Sequence, residues 1–355
     1  MDAAVLVLAF VSIIVGAELF TNGIEWFGRK LELAEGAVGS VLAAVGTALP
    51  ETMVPIVAIL FAGGASQSAS NRIGVGAILG APFMLSTLAM FVTGVVVLIA
   101  GRSRPAGDTL TVDREVLVHD VRTFVVAYAL AIATAFLPAD LAPPRWVVAL
   151  VLLGTYAWYV KGHFDADPTV RPGDLAPLRF HRFDRGGNPA NPGVPALRIV
   201  NVQVLAALGL IVIGAFLFVN VVEHIAKDIG VDEAILALIV APMATELPEA
   251  INAIIWVRQD KETLAMGNIT GAMVFQATIP TVVALLFASS SWAIAPGDRP
   301  AFASAAVAFL ACALIFGPLW RSGRLRGRGL LVGGVLYVGY VIFLVATTIG
   351  ERAGA

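Results

Sequence analysis

Two short phrases in this sequence carry groups that could bind a cation inside a membrane. The first is Gly46-Thr47-Ala48-Leu49-Pro50-Glu51 and the second is Ala244-Thr245-Glu246-Leu247-Pro248-Glu249. Thr47 and Glu51 are four residues apart, as are Thr245 and Glu249, so a helix sets each pair on one face. Glu246 stands three residues before Glu249 and joins that face. Pro50 and Pro248 lack an N–H, and in a helix they strip the partner from the carbonyls of Gly46 and Ala244. Carboxylates, hydroxyls and freed carbonyls make an all-oxygen ligand set. Hard cations such as calcium and sodium prefer such sets, and no histidine or thiol stands near in sequence to favour zinc or copper.

Each phrase lies in an apolar stretch long enough to cross a bilayer, where a carboxylate costs roughly 2.5–3.5 kcal/mol on insertion scales. The 355 residues are 58% hydrophobic and 14% charged, against about 25% charge in soluble domains. The chain therefore reads as an all-α polytopic membrane protein. About 20 apolar residues are needed per span, which gives ten candidates: 3–27, 36–61, 73–100, 122–138, 145–161, 199–225, 234–257, 263–288, 301–318 and 329–349. The start has no basic residue before Arg29, so the first stretch is expected to be a retained span rather than a cleaved signal. If ten helices alternate sides, 18 of the 23 basic residues fall on one side. The positive-inside rule then places that side in the cytoplasm, with both termini outside the cell membrane. The single cysteine, Cys312, excludes an intrachain disulfide framework. Scattered arginines in short loops exclude a basic nucleic-acid-binding domain.

The halves align with each other. At an offset of 198, Gly16-Ala17 matches Gly214-Ala215, Asn22 matches Asn220, and Leu49-Pro50-Glu51 matches Leu247-Pro248-Glu249. Further on the offset is 191, and Gly76, Gly80 and Ala81 fall on Gly267, Gly271 and Ala272. Five spans separate equivalent helices, so the expected architecture is ten transmembrane helices in two inverted five-helix repeats, 1–162 and 199–355. A Pro/Gly-rich segment, 163–198, joins them as a flexible cytoplasmic linker. Inverted repeats with a broken helix in each are the pattern of secondary transporters, whose site lies at mid-membrane where the repeats meet. Small residues in the third and eighth spans let them pack closely on the broken helices. Glu18, with Asn22 and Glu25 on its face, could line a cation path or form a packed polar seam. Glu25 and Glu223, close to span ends, read as interfacial, and His224 and Cys312 as bystanders.

These phrases resemble the alpha repeats of the cation/calcium exchanger superfamily, which typically read Gly-Thr-Ser-x-Pro-Glu. The first copy keeps all but the serine, which is Ala48. The second keeps Thr245, Pro248 and Glu249 and has Glu246 at the serine position. The resemblance implies that Glu51 and Glu249 are the central calcium-binding carboxylates, with Thr47 and Thr245 as oxygen ligands. The family's following helix usually reads Gly-Ser-Asn and then Asn or Asp. Here it reads Gly80-Ala81-Pro82-Phe83-Met84-Leu85 and Gly271-Ala272-Met273-Val274-Phe275-Gln276. Leu85 removes a ligand from the first half, while Gln276 stays polar in the second.

The expected function is secondary cation antiport without a cofactor: calcium leaves in exchange for sodium or protons, by alternating access at a carboxylate site. Ionised carboxylates without counter-ions are too costly to occlude, which makes exchange obligatory. A cation channel, an exchanger of protons for another cation, a non-transporting scaffold and an intramembrane hydrolase are the rival readings. The last lacks an HExxH motif or a Ser/His pairing within the spans. The expected partners are inorganic cations and the bilayer; the sequence leaves oligomeric state open.

Overall fold

The computed structural model describes residues 2–30, 48–61, 67–101, 107–164, 175–184, 195–229, 235–240, 253–254, 256–258, 262–295 and 298–354. Thr47 and the whole second phrase lie outside these residues. The described helices are α1 (Asp2–Lys30), α2 (Leu49–Leu60), α3 (Gln67–Met84), α4 (Met90–Ala100), α5 (Arg114–Ala133) and α6 (Pro143–Phe164) in the first half. The second half holds α7 (Leu197–Ile229), α8 (Glu262–Phe287), α9 (Arg299–Ser322), the short α10 (Gly327–Leu330) and α11 (Val332–Gly354).

Seven described helices are long and apolar enough to cross a membrane: Asp2–Phe20, Gln67–Ala100, Arg114–Phe136, Leu197–Asp228, Ala265–Phe287, Arg299–Arg321 and Gly327–Thr347. The fifth expected span, 145–161, is helical as α6 but is not among the seven. The second and seventh expected spans lie partly outside the described residues. Large apolar side chains such as Val11, Leu150, Leu205 and Ile342 are exposed, as lipid-facing positions are in helices that satisfy their own backbone. α8 is the enclosed centre, with 83% of its apolar window buried against 22% for the last span.

Two close approaches set the packing. A Cβ on Gly16 would stand 2.7 Å from Ile211 Cγ1 and 3.0 Å from the Ala207 carbonyl. One on Gly214 would stand 2.7 Å from Ile13 Cγ1 and 2.9 Å from the Ala9 carbonyl. α1 and α7 therefore cross backbone to backbone through a reciprocal pair of glycines. In the third span, Pro82 interrupts the ladder, and the chain passes through one π-helical segment, Leu85–Ala89, before α4. Such bulges sit where an inserted or missing bond must be absorbed. Ser86 Oγ and Thr87 Oγ1 donate to the Phe83 carbonyl there. α11 lies against this segment at Gly333, where a Cβ would run into the Thr87 carbonyl.

Connections meet in two groups. In the first, Thr109–Leu110 after α4 pairs antiparallel with Leu325–Arg326 after α9. Arg114 Nη2 donates to the Trp320 carbonyl, and Asp113 N donates to Thr263 Oγ1. In the second group, Arg72 near the start of α3 pairs with Asp298 before α9 at 2.9 Å. Ile294 N donates to the Ala135 carbonyl, and Trp292 Nε1 to the Ala131 carbonyl.

The expected flexible linker has an ordered middle. α6 runs on to Phe164 and α7 begins at Leu197, and residues 175–184 pack on α1 and α7. Leu178 is buried with Trp26 and Val200. Trp26 Nε1 donates to the Ala176 carbonyl at 2.9 Å, and Asn22 Oδ1 accepts from Arg179 N at 3.0 Å. Apolar anchors at Leu175 and Leu178 within a polar segment explain the docking.

Candidate cation site

α2 begins at the first phrase. Ala48 turns the chain with φ −82° and ψ 1°, and the helix starts at Leu49. Pro50 therefore occupies the first turn, where the amides have no helical partner and its missing N–H is harmless. A helix that begins at this phrase is in keeping with the break expected at Pro50. Thr47, which the sequence sets on the face of Glu51, lies outside the described residues.

Glu51 is in the first turn and only 4% exposed. A negative side chain there is favoured by the unpaired amides and the helix dipole. Pro55, one turn on, has no N–H to offer the Glu51 carbonyl. Thr52 is buried beside it; its Oγ1 donates to the Ala48 carbonyl at 2.8 Å, and its N reaches the same oxygen at 3.3 Å.

Gln276 arrives from α8, 228 residues away, and is 1% exposed. Its Nε2 donates to the Ala48 carbonyl at 3.1 Å and approaches Thr52 Oγ1 at 3.4 Å. The amide is thus held by its nitrogen at the turn from which Glu51 projects. Its Oε1 is buried and has no hydrogen-bond partner among the described residues. Buried polar atoms are nearly always paired, so an orphaned acceptor within a turn of a buried carboxylate fits a cation ligand. Pro280 supplies no N–H to the Gln276 carbonyl, and Thr281 Oγ1 donates to that carbonyl at 3.3 Å instead. This bond secures α8 where the ligand amide is mounted.

Of the sequence-predicted residues, Glu51 and Gln276 are brought to the same turn of α2. Thr47, Thr245, Glu246 and Glu249 lie outside the described residues. Leu85, the counterpart of Gln276 in the first half, is buried as the first residue of the π-helical segment. Thr52 was not anticipated, although a hydroxyl four residues after Ala48 is placed to bond back to that carbonyl. Glu18 does not join the site. It is exposed and pairs with Arg179 Nη2 at 2.7 Å. Glu223 pairs with Lys227 at 2.6 Å near the end of α7.

Comparison with known proteins adds the following. A family model described as sodium/calcium exchanger protein matches residues 1–162 and 200–349. The protein CaxA of Alkalimonas amylolytica is 23% identical over 347 residues, covering 96% of this chain and 97% of its own. Among solved structures, the H+/Ca2+ exchanger CAX superposes with a TM-score of 0.71 at 17% identity, covering 99% of this chain and 88% of that one. The sodium-calcium exchanger NCX_Mj superposes with a TM-score of 0.58 at 16% identity, covering 96% of this chain and 98% of that one. At these identities the two structures share their fold with this chain.

Proposed function

The chain belongs to the sodium/calcium exchanger protein family, and we propose that it exports calcium in exchange for protons by alternating access. It is a membrane antiporter of cations rather than an enzyme. The observation that carries the finer reading is Glu51, buried at the start of α2, with the orphaned Gln276 amide oxygen held over the same turn. Glu249 and Glu246 complete the ligand set, with Thr47 and Thr245 as oxygen donors. Clustered carboxylates repel one another and take up protons more readily than isolated ones. Ala81, Ala272 and Leu85 leave few neutral oxygens for bound sodium, so protons are the favoured counter-ion and sodium the second reading.

The architecture behind this is ten spans in two inverted repeats, 1–162 and 199–355, with 163–198 between them in the cytoplasm. The reciprocal contact of Gly16 and Gly214 supports it, because each glycine meets the repeat-equivalents of the other's partners: Ile13 with Ile211, and Ala9 with Ala207. The two groups of connections support it as well. Those after the third, seventh and ninth spans meet one another, and those after the second, fourth and eighth form the second group. Both termini then lie outside.

Replacing the carboxylates tests the assignment. Glu51→Gln and Glu249→Gln each abolish calcium flux in reconstituted vesicles, and near-normal flux in either variant would remove it from the site.

A further inference from the structure

A second buried cluster of titratable groups lies outside the calcium site, where α5, α6 and α8 meet. Asp120 on α5 has no exposed surface. Its Oδ1 accepts from the Tyr159 hydroxyl of α6 at 2.9 Å, and its Oδ2 accepts from Thr270 Oγ1 of α8 at 2.7 Å. His163, two residues beyond the expected span 145–161, places Nε2 3.5 Å from Oδ1, with its side chain only 10% exposed. Its other nitrogen, Nδ1, lies 3.1 Å from the Tyr159 carbonyl. A carbonyl can only accept, so Nδ1 carries a proton. In the neutral ring Nε2 then turns a lone pair toward the carboxylate. A second proton converts that contact into a charge-assisted pair.

Thr270 makes the cluster bear on α8. Its single hydroxyl proton has Asp120 Oδ2 at 2.7 Å as its nearest acceptor, ahead of the Met266 and Gly267 carbonyls of its own helix at 3.0 and 3.5 Å. Bound to Asp120 it adds a polar tie between α8 and α5. Gln276 lies six residues further along α8, about 9 Å at the helical rise. A buried carboxylate that loses its counter-charge is costly as long as water is kept from it, so loss of the His163 proton disfavours the close packing of α5, α6 and α8 that encloses Asp120. The other titratable groups around the pair are His119 and Arg122 on α5 and Tyr156 and Tyr159 on α6. Among the described residues α8 contributes only the Thr270 hydroxyl to it. His119 stacks on Tyr159 at 5.6 Å and closes the cluster.

We propose that Asp120 and His163 form a proton-binding site, separate from the transport site, whose occupancy holds α8 and its Gln276 in register with α2. Asp120 is a positioning residue: it acts on calcium through α8 without touching it. The proton enters from the side of the membrane that carries the 163–198 segment. Burial by itself pulls the His163 pKa down, but the hydrogen bond and charge of Asp120 outweigh it, so the ring holds its proton above the ordinary histidine value. The stabilisation is thus complete below about pH 6.5 and is lost as pH rises through the folded value.

The effect on calcium has its own signature and rests on the proposed site. Proton competition at Glu51 and its partners makes calcium affinity rise with pH. Loss of the Asp120–His163 proton makes it fall again at alkaline pH, which gives a bell. The test measures calcium affinity of the full-length protein in detergent micelles from pH 6 to 9. The wild type should lose at least threefold in affinity on the alkaline limb. Asp120→Asn, which needs no counter-charge, should keep the acid limb and lose the alkaline one; an unchanged alkaline limb overturns the proposal. Proton binding is read separately by NMR of 15N-histidine-labelled protein, with His163→Gln used only to assign the signal. The His163 midpoint should drop by about one unit or more in Asp120→Asn, the scale of a nearby charge. A midpoint that does not move overturns the proposal whether or not calcium binds. Wild-type protein that binds no calcium at any pH would overturn the exchanger reading instead.

Discussion

Replacing Gln276 by leucine separates stability from function in opposite directions. The variant deletes the Nε2 bonds to the Ala48 carbonyl and Thr52 Oγ1. The Ala48 carbonyl still accepts from Thr52 Oγ1 at 2.8 Å and Thr52 N at 3.3 Å, so no acceptor is stranded. The loss should be at the low end of about 0.5–1.5 kcal/mol for a hydrogen bond. The same change removes the buried Oε1, which has no partner among the described residues, and so relieves roughly 1–3 kcal/mol of desolvation. Leucine is also the residue that the first half carries at the equivalent position, Leu85. The calcium-free protein should therefore be more stable than wild type, by about 0.5–2.5 kcal/mol. Calcium binding loses one oxygen from a set of about 6–8 and should weaken at least tenfold, or about 1.4 kcal/mol. Thermal unfolding without calcium and a calcium titration on the same preparation decide the matter. A variant that is clearly destabilised yet binds calcium normally would refute the assignment of Oε1 as a ligand.

Other outcomes follow from the same geometry. Gly16→Val and Gly214→Val should destabilise the protein by similar amounts, about 1–3 kcal/mol for overpacking, because each glycine meets an isoleucine and a backbone carbonyl at matching distances. Unfolding in detergent that shows one tolerated and one severe would count against a reciprocal crossing. Glu246→Ser restores the superfamily residue and should change ion selectivity or shift the pH dependence of transport; an identical profile would place Glu246 off the site.

The parts of this arrangement that the sequence displays are those set by local chemistry. Glu51 is visible because a carboxylate in an apolar stretch is costly, and the break at the first phrase is visible because Pro50 cannot donate. Its form was less legible. Whether a proline kinks a helix or starts one depends on the residue before it, and the turn at Ala48 leaves no compositional mark. The bond from Gln276 to the Ala48 carbonyl joins residues 228 apart, and only packing of α8 on α2 creates it. The resemblance to a family pattern, rather than spacing, singled out Gln276. The π-helical segment after Pro82 was equally hidden, since no residue type in Leu85–Ala89 marks it. Asp120 was not singled out at all, because its partners Tyr159 and Thr270 come from two other helices. The middle of the linker was misread for a related reason: a few apolar anchors among prolines and arginines are enough to dock a segment whose composition looks unstructured.

Calcium uptake into reconstituted vesicles, with proton and sodium gradients imposed one at a time, tests the central claim most directly. The account predicts uptake that depends on an opposing proton gradient, is weak with sodium alone and disappears in Glu51→Gln. Calcium flux of equal rate with no gradient of either counter-ion would contradict it and mark the protein as a channel.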